Sequence, residues 1–231
     1  MFAPQKNRCT YMKKVFLAIS AMTIFAACQE APKADQADAT EAKEVSTTPT
    51  GTTFQADLTQ TTLQWIGTKP VAQHLGSFAV KSGSINVENN NITGGKFLFD
   101  INTLAIHDKD TSGTSRLKGH LLSPDFFDAA NHPEASFEIT GTQEGVNVKP
   151  EDLIMKDATH TITGNLTLKG VSKSISFPAK LSVTDAKIVA DANFNIDRTQ
   201  WGLVYGNDQS LGDKFIRPTV NIAIKLVADK L

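Results

Sequence analysis

The stretch "KIVADANFNIDR", residues 187 to 198, decides the fold of this chain. Its apolar side chains recur at every second position, at Ile188, Ala190, Ala192, Phe194 and Ile196. Polar side chains fill most of the intervening positions, at Asp191, Asn193, Asn195 and Asp197. Because successive side chains of a strand point to opposite faces, the stretch predicts a β-strand with one apolar face and one polar, solvent-facing face.

The same period of two recurs in "EASFEIT" (134–140), in "HTITGNLTLKG" (160–170) and around residues 220–226. Turn-forming segments separate these runs, among them "VENNNITGG" (87–95) and "GTQEGVNVKPED" (141–152). We count about eight strands after residue 53, which predicts an all-β domain, either a sandwich or a closed barrel. An outer-membrane barrel is disfavoured because aromatic residues are only 7% of the chain and form no paired girdles.

The first 27 residues have the features of a secretory signal peptide. Lys13 and Lys14 precede an apolar stretch, residues 15–27, that ends in small residues before Cys28. This apolar stretch is too short for a membrane-spanning helix, which needs roughly 20 residues. We therefore predict that residues 1–27 are removed, with Met1 or Met12 as the start.

The sequence "FAAC", Phe25 to Cys28, resembles the lipobox of bacterial lipoproteins. The resemblance implies that Cys28 is lipidated and anchors the protein to a membrane of the bacterial cell envelope. Ordinary signal cleavage beside an incidental cysteine is the alternative. Gln29 is not the aspartate that retains some lipoproteins at the inner membrane, so we predict the outer membrane, facing the periplasm or the cell surface.

Residues 28–53 form the predicted second region, a lipidated cysteine followed by a disordered tether. From Gln29 onward this segment contains no aromatic residue, and Val45 is its one β-branched aliphatic residue. Such a composition buries too little apolar surface to offset the entropy lost on ordering. A long helix is the alternative, although the Pro and Thr residues near its end disfavour one.

Composition excludes some classes of function. Removal of residues 1–27 changes the net charge from −1 to −5, so we expect no nucleic-acid partner. Cys9 and Cys28 are the two cysteines, and Cys9 lies before the predicted cleavage site. The mature domain therefore has no disulfide, and we expect its apolar core to hold it together.

The stretch "SPDFFDAANHP", residues 123–133, interrupts the strands. Ser123 and Pro124 suit the start of a helix, so we predict one or two short helices around residues 114–131. A catalytic serine is disfavoured because Ser123 is expected to cap this helix, and the chain has no Gly-x-Ser-x-Gly motif. A metal site shared by His120 and His132 is a further alternative, but no His pair has metal-ligand spacing, and we predict none.

Four blocks of sequence resemble the YceI-like family of lipid- or polyisoprenoid-binding proteins of the bacterial envelope. They are "LQWIGTKPVAQHLGSFAVKSGSI" (63–85), "GHLLSPDFFDAANHPEASFEI" (119–139), "GNLTLKGVSKSISFPAKL" (164–181) and "FNIDRTQWGLVYG" (194–206). The resemblance covers residues 54–231. It implies an eight-stranded antiparallel, lipocalin-like β-barrel over those residues, and it implies no catalysis.

The resemblance also implies that the lumen binds a long apolar chain, such as a polyisoprenoid, a quinone tail or a fatty amide. The protein would then be an envelope lipid carrier or scavenger, without any cofactor other than a bound lipid. A structural or stress-response envelope protein with a filled core and no ligand is the alternative. Association of two barrels into a homodimer is left open.

The predicted ligand-binding residues follow from the inward phase of the strands and from the 123–133 insertion. Wall residues are Phe97, Phe99, Phe137, Phe194 and Ile196, with Phe126 and Phe127 closing one end. Ordinary core packing is the alternative for each of these aromatic residues. Arg198 continues the inward phase of its strand, and Trp201 follows three residues later. Arg198 either contacts a polar head group beside Trp201 or forms a structural salt bridge, for example to Asp125 or Asp128.

Overall fold

The computed structural model describes residues 30–45, 50–146, 148–149 and 151–231. The strands are β1 (Asp35–Gln36), β2 (Thr40–Glu41), β3 (Thr52–Ala56), β4 (Thr62–Lys69), β5 (Ala72–Glu88), β6 (Asn91–Ile106), β7 (Glu134–Glu144), β8 (His160–Leu168), β9 (Val171–Val183), β10 (Lys187–Asp197) and β11 (Thr219–Lys230). One α-helix, α1 (Thr114–Leu122), follows β6, and two 3-10 segments, Arg198–Trp201 and Gln209–Lys214, follow β10. The predicted signal peptide and Cys28 lie outside the described residues.

The long strands close into a barrel. Each of β5 to β10 pairs antiparallel with the next strand along the chain. β11 pairs with both β3 and β4, and these two strands pair in turn with β5. β3 lies beside residues 84–87 of β5 and β4 beside residues 72–78, so together they occupy one position. The result is a closed barrel of eight positions, which confirms the all-β barrel and the short helix.

The break between β3 and β4 is a turn built on Asp57. Its carboxylate accepts hydrogen bonds from the backbone N–H and the hydroxyl of Thr59, at 2.9 and 2.6 Å, and from the side-chain amide of Gln60. These bonds favour the charged carboxylate over the neutral acid. The turn lets one barrel position be filled by two short strands.

We expect the carboxyl group of Asp57 to titrate near pH 2. The hydroxyl of Thr59, followed by the Gln60 amide, lowers its pKa from 3.8 to about 2. Because the folded pKa is lowered, the stabilisation is present above pH 3.8 and is lost as the pH falls toward 2. Carboxyl ¹³C NMR titration checks the value, and Thr59→Ala should raise it. A midpoint near 4 in the unchanged chain would contradict the assignment.

The connections define two ends of the barrel. The β4–β5 turn, the β6–β7 connection with α1, the β8–β9 turn and the β10–β11 connection share one end, called here the helix end. The β5–β6 turn, the β7–β8 connection and the β9–β10 turn lie toward the other. The helix end therefore contains the longest structured insertions of the fold.

Two glycines allow large aromatic side chains to lie flat on the inner wall. Gly76 faces Trp65 across β4 and β5, and a Cβ atom there would come within 2.4 Å of the indole ring. Gly164 leaves the same kind of space beside Phe137, where a Cβ would be 2.4 Å from the ring. The aromatic rings thus cover neighbouring strands rather than fill the middle of the lumen.

Residues 30–45 are ordered against the barrel, so the prediction of a disordered tether is wrong for this part of the segment. β9 and β10 pair with each other only between Ala179–Val183 and Ile188–Ala192. Beyond this stretch, β1 pairs with β10 in parallel, and β2 pairs with β9. Residues 35–41, called the strap, thus contact both strands where the two strands are no longer paired with each other.

Specific hydrogen bonds hold the strap in place. The Ala37 N–H donates to the carbonyl of Asn195 at 2.8 Å, and Ala37 is only 1% exposed. The Asp35 carboxylate accepts the backbone N–H groups of Ile154 and Met155, at 2.9 and 2.8 Å. Composition alone did not reveal this order because the segment is stabilised mainly by backbone pairing and polar contacts with distant residues.

α1 lies within the range predicted for one or two short helices, 114–131, but no helix begins at Ser123. α1 ends at Leu122, and Ser123 is its C-terminal cap, with its hydroxyl donating to the His120 carbonyl at 2.8 Å. Residues 124–127 form turns instead of the predicted helix. The N-cap prediction for Ser123 is therefore wrong, and the serine hydroxyl caps the other end of the helix.

Candidate ligand-binding site

A cavity of about 400 Å³ lies inside the barrel and extends to the helix end. Its wall is mainly apolar, with side chains from every strand from β4 to β11. Several of these side chains are only partly buried although they point into the barrel: Leu63, Phe137, Leu166, Leu168, Val220, Ile222 and Ile224. Their remaining exposure is consistent with apolar surface left facing the cavity.

A second void of about 80 Å³ lies deeper in the lumen. Five residues line both spaces: Leu63, Phe99, Phe137, Phe177 and Ile224. Phe177 packs on Phe194 with ring centroids 4.1 Å apart and nearly parallel planes, and on Phe137 at 5.6 Å. These shared side chains separate the two spaces.

The structure brings most of the predicted ligand-binding residues together. Phe99, Phe126, Phe127, Phe137, Phe194, Ile196 and Arg198 all line the larger cavity. Phe97 lines the smaller void instead, beside Gly83, so it belongs to the more tightly packed region. Their contact with a ligand stays a prediction.

Aromatic side chains narrow the cavity at the helix end. Phe127 meets Phe78 edge-on, with centroids 5.3 Å apart. Phe126 packs in a cluster with His120 and Tyr205, at centroid distances of 5.2 and 5.7 Å. Both phenylalanines line the cavity next to α1, and their role in closing its end stays a prediction.

Arg198 has a structural role that the sequence did not specify. It is 4% exposed, and its guanidinium donates to the carbonyls of Leu203, Tyr205, Ile216 and Arg217. Its guanidinium carbon also lies 5.5 Å from the centroid of the Phe126 ring. Burial lowers the pKa of Arg198, and the adjacent Asp197 partly opposes this shift.

The predicted salt bridge from Arg198 to Asp125 or Asp128 is wrong. Asp125 lies 3.3 Å from the His120 imidazole, and Asp128 accepts hydrogen bonds from Asn131. Backbone carbonyls satisfy the guanidinium because the β10–β11 connection folds back around it. Arg198 thus fixes the shape of this connection. It also lines the cavity, so a contact between its guanidinium and a ligand head group stays a prediction.

Trp201 is not brought to the cavity. Its side chain is fully buried, and its indole N–H donates to the Leu166 carbonyl at 2.9 Å. It is absent from the walls of both described cavities. The sequence prediction placed Trp201 beside Arg198 and a ligand head group because it follows Arg198 by three residues. A 3-10 turn over Arg198–Trp201 changes the direction of the side chain instead.

The sequence analysis missed a group of basic residues at the mouth of the cavity. Lys69, Lys214 and Arg217 line the cavity, and Lys214 is exposed to solvent. Among the lining residues within the described part of the chain, none is Asp or Glu. The basic residues come from separate connections, so no local motif could have revealed their convergence.

Two histidines near the cavity are paired locally, whereas the buried Trp65 Nε1 and Thr68 Oγ1 of the cavity wall have no hydrogen-bond partner among the described residues. The His74 imidazole lies 2.7 Å from the Asp108 carboxylate, whose second oxygen accepts the Leu75 N–H. His107 lies 2.8 Å from the Ser77 hydroxyl on the barrel surface. The described residues contain no group of three or more metal-ligating side chains placed to hold an ion, nor any helix long and apolar enough to cross a membrane.

A closed eight-position barrel with an apolar cavity open at one end is typical of small β-barrels that hold one ligand in the lumen, the class to which lipocalins belong. The chain belongs to the YceI-like domain family, whose model matches residues 54–228. This match confirms the resemblance seen in the four sequence blocks.

Relatives identified by sequence similarity align with about half of this chain. A UPF0312 protein of Pectobacterium carotovorum is 36% identical over 106 residues, which are 46% of this chain and 47% of that protein. Protein YceI of Escherichia coli is 34% identical over 116 residues, which are 47% of this chain and 52% of the relative. The chain thus spans about half the length of the curated relatives it matches.

Solved structures show the same fold at low sequence identity. A polyisoprenoid binding domain from Saccharophagus degradans matches with a TM-score of 0.57 at 16% identity, covering 77% of this chain and 98% of that one. BcnA of Burkholderia cenocepacia matches with a TM-score of 0.56 at 16% identity, covering 74% and 98%. These likenesses support the barrel architecture.

Proposed function

We propose that this protein binds one long-chain apolar molecule in the barrel lumen, without catalysis. The observation that carries the proposal is the cavity of about 400 Å³ with a predominantly apolar wall and with Lys69, Lys214 and Arg217 at its mouth. This volume lies within the range of small-molecule sites, about 300–1,000 Å³. Burying a hydrocarbon chain gains ~0.8 kcal/mol per methylene before ordering costs, which supplies the driving force.

The ligand class follows from the shape and the charge of the site. The apolar wall suits a polyisoprenoid, a quinone tail or the chain of a fatty amide. The polyisoprenoid binding domain of Saccharophagus degradans shares the fold, which supports the first of these. Lys69, Lys214 and Arg217 at the mouth favour a head group that accepts hydrogen bonds.

We further propose that the protein is an envelope lipid carrier or scavenger anchored through lipidated Cys28. The signal-like residues 13–27 and the lipobox-like "FAAC" support this proposal. Because Pro32 and Asp35 are both hydrogen-bonded to the domain, only residues 29–31 remain as a spacer after the cysteine. At up to ~3.6 Å per extended residue, this spacer holds the barrel close to the anchoring membrane.

We expect an apolar molecule of a few hundred daltons to co-purify with the protein. Its hydrophobic burial makes release slow under native conditions, and unfolding the barrel removes the site. Native mass spectrometry followed by solvent extraction measures the bound mass and its chemical class. A protein with only its sequence mass, even after incubation with isoprenoids and fatty amides, would favour the structural or stress-response alternative.

A pair of neighbouring substitutions provides the control for this measurement. Ile222 lines the cavity, whereas Ala223 follows it on β11 and lines neither cavity. Ile222→Trp should lower ligand occupancy by filling the lumen, and Ala223→Trp on the outer face should leave it unchanged. Equal occupancy in the two variants would show that the ligand lies elsewhere.

A further inference from the structure

The mouth of the cavity is surrounded by exposed apolar side chains. Tyr205 is 46% exposed while it also lines the cavity, so the lumen reaches solvent beside it. Val71, on the β4–β5 turn, is 65% exposed, and Val204 and Leu211, on the β10–β11 connection, are 51% and 44% exposed. The mouth face is defined here as Lys69, Val71, Val204, Tyr205, Leu211, Lys214 and Arg217.

Backbone contacts show that the two segments of the mouth face adjoin each other. The Arg217 N–H donates to the Thr68 carbonyl at 3.0 Å, which joins the β10–β11 connection to the end of β4. The Ile216 N–H donates to the Gly206 carbonyl at 2.7 Å, next to Tyr205. The apolar and basic side chains therefore belong to one surface around the opening.

The charge at the opening differs from that of the molecule as a whole. The full chain has a net charge of −1, but Lys69, Lys214 and Arg217 all line the cavity mouth. Asp208 and Asp213 lie on the same connection without lining the cavity, and Asp208 caps the second 3-10 segment through the Ser210 N–H. The basic groups thus border the opening itself.

We propose that the mouth face docks on the surface of a lipid bilayer that contains anionic lipids. Valine, leucine and tyrosine side chains on projecting turns can enter the head-group region, while the lysines behind them contact lipid phosphates. This inference rests on the proposed function. Docking at the opening would let an apolar chain pass between bilayer and lumen without crossing water.

Vesicle co-sedimentation tests the docking with a chain of residues 30–231, which contains every described strand and lacks Cys28. We expect binding to vesicles of phosphatidylglycerol and phosphatidylcholine, weaker binding to phosphatidylcholine alone, and loss of binding as salt is raised. The triple variant Val71→Ser, Val204→Ser and Leu211→Ser should bind about tenfold more weakly, because each change removes an apolar contact with the lipid.

The matched control replaces three comparably exposed apolar residues away from the helix end. Leu58, Val148 and Ile154 are 48%, 45% and 47% exposed, and their triple serine variant should bind vesicles like the unchanged chain. Equal losses in both triple variants would overturn the proposal. So would a mouth-face variant that keeps vesicle binding but converts a dimer into a monomer, since the surface would then be a protein interface.

Ligand occupancy, measured separately by native mass spectrometry, separates this proposal from the proposed function. The mouth-face variant changes residues outside the cavity wall, so it should retain its ligand while losing the vesicles. A barrel that proves empty would refute the ligand proposal, whereas the comparison of the two triple variants on vesicles would still decide the docking proposal.

Discussion

Replacing Arg198 by methionine is expected to lower the free energy of unfolding by about 3–5 kcal/mol, the largest effect of any single substitution considered. The guanidinium is almost fully buried and donates to four backbone carbonyls of the β10–β11 connection. Methionine fills similar space but leaves those acceptors without their donor. The connection should then lose its fold around the cavity mouth.

Urea denaturation followed by tryptophan fluorescence measures the loss, because Trp201 lies in the same buried region. Arg198→Lys keeps the charge but cannot reach all four carbonyls, so it should recover only part of the stability. Arg116→Met on the exposed side of α1 is the control, with a change expected within about 0.5 kcal/mol. An Arg198→Met protein as stable as the unchanged chain would show that the carbonyls are satisfied in another way.

Deleting residues 30–45 is expected to lower the free energy of unfolding by about 2–4 kcal/mol and to release bound ligand faster. The strap occupies the space beside the unpaired parts of β9 and β10. The inward side chains of those parts, Ile175, Phe177, Phe194 and Ile196, line the larger cavity. Without the strap, this side of the barrel loses its outer backbone pairing, and water gains access to the wall.

Hydrogen exchange compared between chains of residues 30–231 and 46–231 tests this expectation. Amides of β9 and β10 beyond their mutual pairing should lose protection, whereas those of β5 and β6 should exchange as before. Ala37→Asp in the longer chain is a subtler form of the same test, because it places a carboxylate at a fully buried position. Unchanged protection of β9 and β10 in both variants would show that the strap is only loosely attached.

The strap also shows where composition is a poor guide. Residues 30–45 have the low aromatic and aliphatic content that predicts disorder, yet Ala37 is buried and Asp35 is bound by two backbone N–H groups. Composition measures how much apolar surface a segment can bury by itself. It contains no information about the unpaired edges of β9 and β10, which are distant in sequence and supply the hydrogen-bond partners for the backbone of this segment.

Arg198 and Trp201 show a second limit of predicting side-chain positions from the sequence pattern. Strict alternation predicts correctly that Phe194, Ile196 and Arg198 face the cavity, and it no longer locates the side chains beyond Arg198. The 3-10 turn begins at Arg198, so the period of two no longer applies. The sequence identifies Arg198 as a charge on an apolar face, but its four carbonyl partners lie 5 to 19 residues away along the chain and become neighbours only when the connection folds.

By itself, the sequence determined the all-β class, the strands with their inward faces, the short helical insertion and the family. These features depend on side-chain periodicity and local motifs, which are properties of neighbouring residues. Only the tertiary structure decided the course of residues 30–45, the backbone partners of Arg198, the removal of Trp201 from the cavity wall and the basic rim of the mouth. Each of these depends on which distant segments meet when the barrel closes, and periodicity contains no information about that.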